Sequence, residues 1–169
     1  MDNEAFEKVA REQKNRIYSY ATRMLRRPVE AQDVVQEALV RLWQHRDGVD
    51  DKTAQFWLRR TVHNLCIDRI RHRRASPEVE AELKETISPD TGAGPGRLAE
   101  SAELGRLIDD ALGKLPERDR AVLLLREVQA LPYNEIAGIL NLPLGTLKAR
   151  LHRAREQLRT KLVRAGVTP

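Results

Sequence analysis

Apolar positions recur at three- and four-residue intervals through most of the chain, the spacing of helices buried along one face. Over residues 4–26 the repeat runs through Phe6, Val9, Ala10, Ile17, Tyr20, Ala21 and Met24. Pro28 then suits the first turn of a second helix over 29–45, which buries Val34, Val35, Ala38, Leu39, Leu42 and Trp43. Gly48 among Asp47, Asp50 and Asp51 breaks the repeat, and a third helix over 54–74 carries Phe56, Trp57, Leu58, Val62, Leu65, Ile67 and Ile70. Residues 75–100 differ: Pro77, Pro89, Pro95, Gly92, Gly94 and Gly96 punctuate a stretch with few large apolar side chains, as in a linker. Four helical segments follow, over 101–114, 117–129, 133–140 and 144–164, with Pro116 and Pro132 at helix starts. No strand pattern stands out. The pattern predicts an all-α protein of two small helical domains, 1–74 and 104–169, joined by a flexible linker over 75–103.

Charge sharpens this division. Residues 1–74 hold 16 Lys/Arg against 11 Asp/Glu, residues 75–103 hold 2 against 7, and residues 104–169 hold 12 against 7. Two lobes of net +5 therefore flank a segment of net −5. Basic lobes point to a polyanionic partner, with nucleic acid the first candidate. The single cysteine, Cys66, excludes an intrachain disulfide and fits a reducing compartment. The N-terminus is polar and acidic, and the longest apolar runs are too short to span a bilayer. A cytoplasmic protein without membrane insertion is expected.

The strongest local signal lies near the C-terminus. Pro132 to Leu140 reads as a short amphipathic helix, Asn141-Leu142-Pro143 as a turn, and Leu144 onwards as a long basic helix. Short helix, tight turn and second helix make a helix-turn-helix. At about 100° per residue, Leu147, Leu151, Ala154 and Leu158 form one stripe facing the core. Gly145, Ala149, His152 and Arg153 face the other way, flanked by Lys148 and Arg150. Small residues let a helix approach the major groove closely, and Arg and Lys reach base edges or phosphates. Residues 144–164 carry seven Lys/Arg and one acid, Glu156, which favours DNA over a merely solvated surface.

The first lobe shows two unlike surfaces. Asp33, Gln36, Glu37 and Arg41 share the polar face of the second helix, a pattern that by itself says no more than helix-surface pairing. The third helix is basic through Arg59, Arg60, Arg69, Arg71, Arg73 and Arg74, and adds Trp57, His63, Asn64 and His72. Cations beside a ring and an amide suit single-stranded DNA, whose unstacked bases pack on rings and form hydrogen bonds.

Three segments together resemble the sigma-70 family of RNA polymerase sigma factors. Asp33-Val34-Val35-Gln36-Glu37-Ala38 with Leu42-Trp43 looks like the polymerase-binding signature of region 2. Trp57 to Arg69 resembles the adjoining promoter-melting segment. Leu115-Pro116, Glu135-Ile136-Ala137 and Leu144 to Arg155 resemble region 4. Their order, with only two lobes and a short linker, is similar to the extracytoplasmic-function (ECF) group. The resemblance implies a transcription initiation factor. Asp33, Gln36, Glu37 and Arg41 would contact the clamp helices of the polymerase's largest subunit, with the flap as a further contact. Trp57, Arg60, Asn64, Arg69, Arg71 and Arg73, with the 46–54 loop, would engage the minus-10 element and a flipped base there. Gly145, Thr146, Lys148, Ala149, Arg150, His152 and Arg153 would read the minus-35 element. An anti-sigma factor is implied as inhibitor. The family often has Ser where Ala149 stands, and a hydroxyl cap where Pro132 stands.

Two rivals remain at this stage. A helix-turn-helix regulator working without polymerase would leave the first 74 residues unexplained. An enzyme, such as a metal-dependent nuclease built on Asp47, Asp50 and Asp51, lacks an evident base or second ligand cluster. His63 and Cys66 lie one helical turn apart, yet two further zinc ligands are not evident, and a buried Cys beside a surface His is expected instead. No enzyme activity, metal or cofactor is therefore expected.

Overall fold

The computed structural model describes residues 1–76 and 95–168, with side chains described from Glu100 onwards in the second stretch. Among the described residues seven α-helices make two lobes: α1 (Asn3–Leu25), α2 (Pro28–Gln44) and α3 (Ala54–Ala75), then α4 (Pro95–Gly113), α5 (Glu117–Leu123), α6 (Tyr133–Leu140) and α7 (Leu144–Arg164). There is no strand among the described residues. The linker expected from Pro77, Pro89, Gly92 and Gly94 lies outside them. Residues 95–103, also expected in that linker, form the first turns of α4 instead. Pro95 and Gly96 read as breakers, but proline fits a first helical turn because the N–H it lacks would be unsatisfied there anyway.

Local chemistry sets the helix ends. The Asp2 carboxylate caps α1 by accepting from the Ala5 N–H at 2.8 Å. Arg26 closes the same helix in the left-handed region, φ 57°, its N–H donating to the Thr22 carbonyl. Pro28 opens α2 as expected. The helix from Glu117 widens at Leu124–Val128 into a π turn, where the Gln129 N–H donates to the Leu124 carbonyl at 2.9 Å. In the first lobe Ile17, Met24, Val34, Leu42, Leu58 and Val62 are buried between α1, α2 and α3. In the second, Leu124, Ile136, Ile139, Leu147 and Leu151 are buried between α5, α6 and α7. Each such side chain contributes about 1.5–3 kcal/mol by leaving water. Trp43, expected in the core, is instead 37 % exposed, held by Phe6 edge-on and by Arg46 over its ring. It lies one position beyond Leu42, and the stripe has already turned past it.

The two lobes, expected to be tethered loosely, are docked against each other. Arg59 of α3 pairs with Glu135 of α6, and Arg74 with Glu117 of α5. Arg120 of α5 donates to the Met24 carbonyl at the end of α1. Arg16 donates to the Gln129 carbonyl at 2.7 Å, and the Gln129 amide donates back to the Arg16 carbonyl at 3.2 Å. Two glycines of the second lobe make room for the first. A β-carbon at Gly138 would stand 2.9 Å from the Phe56 ring, and one at Gly113 would overlap the Arg26 guanidinium. The docking thus joins polar bridges to close approach.

Gly138→Leu tests it, since the new side chain must displace Phe56 from α6. Overpacking of this kind costs about 1–3 kcal/mol. We expect the radius of gyration in small-angle X-ray scattering to rise while the helical circular dichroism stays unchanged. An unaltered radius contradicts the contact.

Candidate promoter and polymerase surfaces

The helix-turn-helix is built as its sequence suggests. Tyr133 follows Pro132, which supplies extended backbone at φ −68° and no side-chain cap. Asn141 ends α6 in the left-handed region, φ 53°, a conformation that asparagine tolerates better than most residues. The Leu142 N–H then donates to the Ala137 carbonyl at 3.0 Å, and α7 starts at Leu144. Leu147, Leu151 and Ala154 are buried and Leu158 is half-buried, the predicted stripe. Gly145, Thr146, Lys148, Ala149, His152 and Arg153 are exposed, so one open face near the start of α7 is small and basic. Arg150 departs from this set, half-buried and turned toward the first lobe. Arg155 is held by Glu127, with Nε 2.7 Å from Oε1.

On α2, Asp33, Gln36 and Arg41 are exposed and Glu37 is half-buried. Glu37 has two cationic neighbours, Arg41 at 2.6 Å and Arg69 at 3.9 Å. Asp33 and Gln36 therefore offer the freer polar groups of this face.

The minus-10 set divides in two. Arg60, Asn64 and Arg71 are exposed, and Trp57 is half-buried with its ring 5.7 Å from that of His45. Arg69 and Arg73 turn toward α2 instead. Arg69 lies 3.8 Å from Glu30, and Arg73 pairs with Glu30 while donating to the Leu25 carbonyl at 3.0 Å. These two guanidiniums brace α3 on α1 and α2. Asn64 and Arg71 line a cleft of about 520 Å³ whose far wall includes Arg118, Leu142 and Arg150. Docking thus sets Asn64 and Arg71 opposite the second lobe, while the open face of α7 stays outward.

His63 is buried, 8 % exposed, rather than at the surface as expected. It shares a hydrogen bond of 2.7 Å with the Tyr20 hydroxyl. Burial lowers its pKa to about 4 and keeps the ring neutral. Cys66 is buried as expected, and burial pushes its thiol pKa up, so it stays protonated. Asp47, Asp50 and Asp51 are not gathered with other ligands, since no metal-holding group of three occurs among the described residues. Asp50 shapes the local turn, its carbonyl accepting from the Thr53 hydroxyl at 3.1 Å. Sequence reasoning missed Arg59 and Arg120 as lobe-bridging residues. Arg120 carried a faint signal, being a charge in the otherwise apolar stripe that continues through Ala121 and Leu124.

A two-lobed helical protein with an open helix-turn-helix and a basic third helix belongs to the class of promoter-reading factors. Comparison narrows the class. The family model described as Sigma-70 region 2 matches residues 9–76, and that described as Sigma-70, region 4 matches residues 105–158. The chain is 37 % identical to the ECF RNA polymerase sigma factor SigW of Bacillus subtilis (strain 168), over 95 % of this chain and 90 % of that protein. It belongs to the ECF group of sigma-70 family RNA polymerase sigma factors. Its fold is similar to that of the sigma factor RpoE solved with the anti-sigma factor NepR from Bartonella quintana, with TM-score 0.75, 22 % identity and coverage of 93 % and 96 % of the two chains. It is similar also to CnrH solved with the cytosolic domain of CnrY, with TM-score 0.70, 24 % identity and coverage of 98 % and 92 %. No helix among the described residues is long and apolar enough to cross a membrane.

The buried His63 has a pH consequence. Its folded pKa of about 4 lies below the ordinary 6.5. The unfolded chain therefore takes up a proton first as pH falls. The stability is fully present above pH 6.5 and is lost as pH falls toward 4, by up to about 3 kcal/mol across that window. We expect His63→Gln to show a shallower fall in melting temperature between these pH values than the parent chain. Parallel curves would exclude a neutral, buried His63.

Proposed function

We propose that the chain binds core RNA polymerase in the cytoplasm and directs it to promoters, acting by binding alone and catalysing no reaction of its own. The observation that carries this reading is the small, basic, outward face of α7, with Leu147, Leu151 and Ala154 buried behind it. Residues 1–74 and 104–169 serve as the two functional domains. Lys148, Ala149, His152 and Arg153, with Gly145 and Thr146 for close approach, read the minus-35 duplex. Arg60, Asn64, Arg71 and Trp57 engage the opened minus-10 strand. Arg69 and Arg73 act on that strand indirectly, by fixing α3. Asp33 and Gln36, with Glu37 and Arg41, meet the clamp helices of the polymerase.

Geometry adds a requirement. Two elements about 25 base pairs apart are separated by roughly 85 Å along B-form DNA, at about 3.4 Å per base pair. A compact chain of this length is on the order of 40 Å across. The docked lobes therefore cannot read both elements together, and they separate when polymerase and promoter are engaged. The docked form is the free, inactive one. The sigma factor RpoE of one similar structure was solved with the anti-sigma factor NepR, which supports control of this chain by a protein of that kind.

In transcription reconstituted with core enzyme, we expect Arg153→Ala to lower use of a cognate minus-35 site about 5- to 150-fold, the equivalent of 1–3 kcal/mol, while sparing core binding. Asp33→Ala combined with Glu37→Ala should weaken core binding and leave the fold intact by circular dichroism. A polymerase-independent regulator would instead bind promoter duplex equally well with and without core enzyme.

A further inference from the structure

A cleft of about 850 Å³ opens where the end of α1 and the end of α3 meet the α4–α5 junction. Six cationic side chains line it. Arg26, Arg27, Arg73 and Arg74 come from the first lobe, and Lys114 and Arg120 from the second. The lining contains two acids, Asp110 and Glu117. Arg26 pairs with Asp110 at 2.9 Å and Arg74 with Glu117, while Arg73 and Arg27 both use Glu30 outside the lining. Three carboxylates thus serve six cations.

Arg120 is the most deeply placed of the six to lack a carboxylate partner among the described residues. Its side chain is nine-tenths buried, its terminal nitrogens donate to the Met24 and Leu115 carbonyls, and its Nε has no partner. The Arg73 Nε is likewise buried without a partner. Among the described residues neither Lys114 nor Arg120 forms an ion pair. Burial first, then the neighbouring Arg26, lowers the Arg120 pKa, with Glu117 and Tyr20 working against them. A buried guanidinium crowded by other cations calls for a counter-charge, because buried charges persist when paired.

We propose that this cleft binds a small polyphosphate anion, such as pyrophosphate or the polyphosphate arm of a nucleotide. The forked geometry of arginine matches phosphate oxygens. The excess of three cations matches a multiply charged anion better than a monocarboxylate. The volume falls within the range of small-molecule sites, about 300–1,000 Å³. Because both lobes supply the cations, the anion binds the docked form better than the separated one and shifts the population toward it. Its effect on transcription rests on reading the docked form as inactive, but its binding does not.

The test uses the full chain, without polymerase, titrated with inorganic pyrophosphate by calorimetry at physiological ionic strength. Saturable one-to-one binding is expected. Lys114→Gln combined with Arg27→Gln should weaken it at least tenfold, and Arg153→Gln on the open face of α7 should leave it unchanged. A fluorescent donor and acceptor, one on each lobe, should report closer or more persistent docking as pyrophosphate is added. Absence of saturable binding overturns the proposal, as does equal weakening by Arg153→Gln, which would mark loose attraction to any basic surface. An unrelated DNA duplex that displaces pyrophosphate without changing the lobe distance would assign the cleft to the nucleic-acid backbone and overturn it too.

Discussion

The seam between the lobes is the contact on which the rest of this structure turns. The buried apolar side chains form one cluster that runs through both lobes, from around Leu58 to around Leu147. Polar bridges cross between the lobes as well. Guanidinium groups reach across to carboxylates and to carbonyls at helix ends, and one ring, Phe56, rests on the bare face of Gly138. The seam thus combines a shared apolar core with polar bridges. Its ion pairs weaken with salt and are worth little where water reaches them.

The seam also distributes exposure unequally. Arg59, Arg69, Arg73 and Arg74 are drawn into it or into the bracing beneath it, which leaves Arg60 and Arg71 as the unpaired arginines of α3 among the described residues. Asn64 and Arg71 are left beside a cleft facing Arg150 and Arg118. The open face of α7 has no such partner. In the docked form the open face of α7 stays accessible, while Asn64 and Arg71 of α3 border a cleft against the second lobe.

Much of this was legible in the sequence, and the parts that were not share a cause. The stripe Leu147, Leu151, Ala154, the turn at Asn141 and the outward set from Gly145 to Arg153 follow from helical period and turn chemistry, both of which act between near neighbours. The helix over 95–103 was hidden because proline and glycine in an acidic stretch look like a linker, although Pro95 sits where a helix accepts it. Trp43 and His63 were misplaced for opposite reasons. Trp43 lies at the margin of its stripe and finds a cation and a ring at the surface, whereas His63 is polar yet satisfied inside by Tyr20. The lobe contacts join residues such as Arg59 and Glu135, far apart in the chain, and no periodicity reports such a meeting. An arginine in an apolar stripe, as at Arg120, was the one trace they left.

The size of the seam limits what can open it. Moving a two-state equilibrium from almost wholly docked to almost wholly separated takes a differential affinity of about 5.5 kcal/mol. A partner that binds at nanomolar concentration has roughly 12 kcal/mol of binding free energy to draw on. If about 5.5 of those roughly 12 kcal/mol depend on the separated form, binding of polymerase is enough to open the seam. DNA alone supplies less, because its phosphate contacts weaken steeply with salt and the α7 face is already free in the docked form. A ligand that favours neither form changes nothing, however tightly it binds. The order of events follows from this difference. On the proposed function, polymerase opens the chain first, and the promoter is then read at two places by lobes that the free protein holds together.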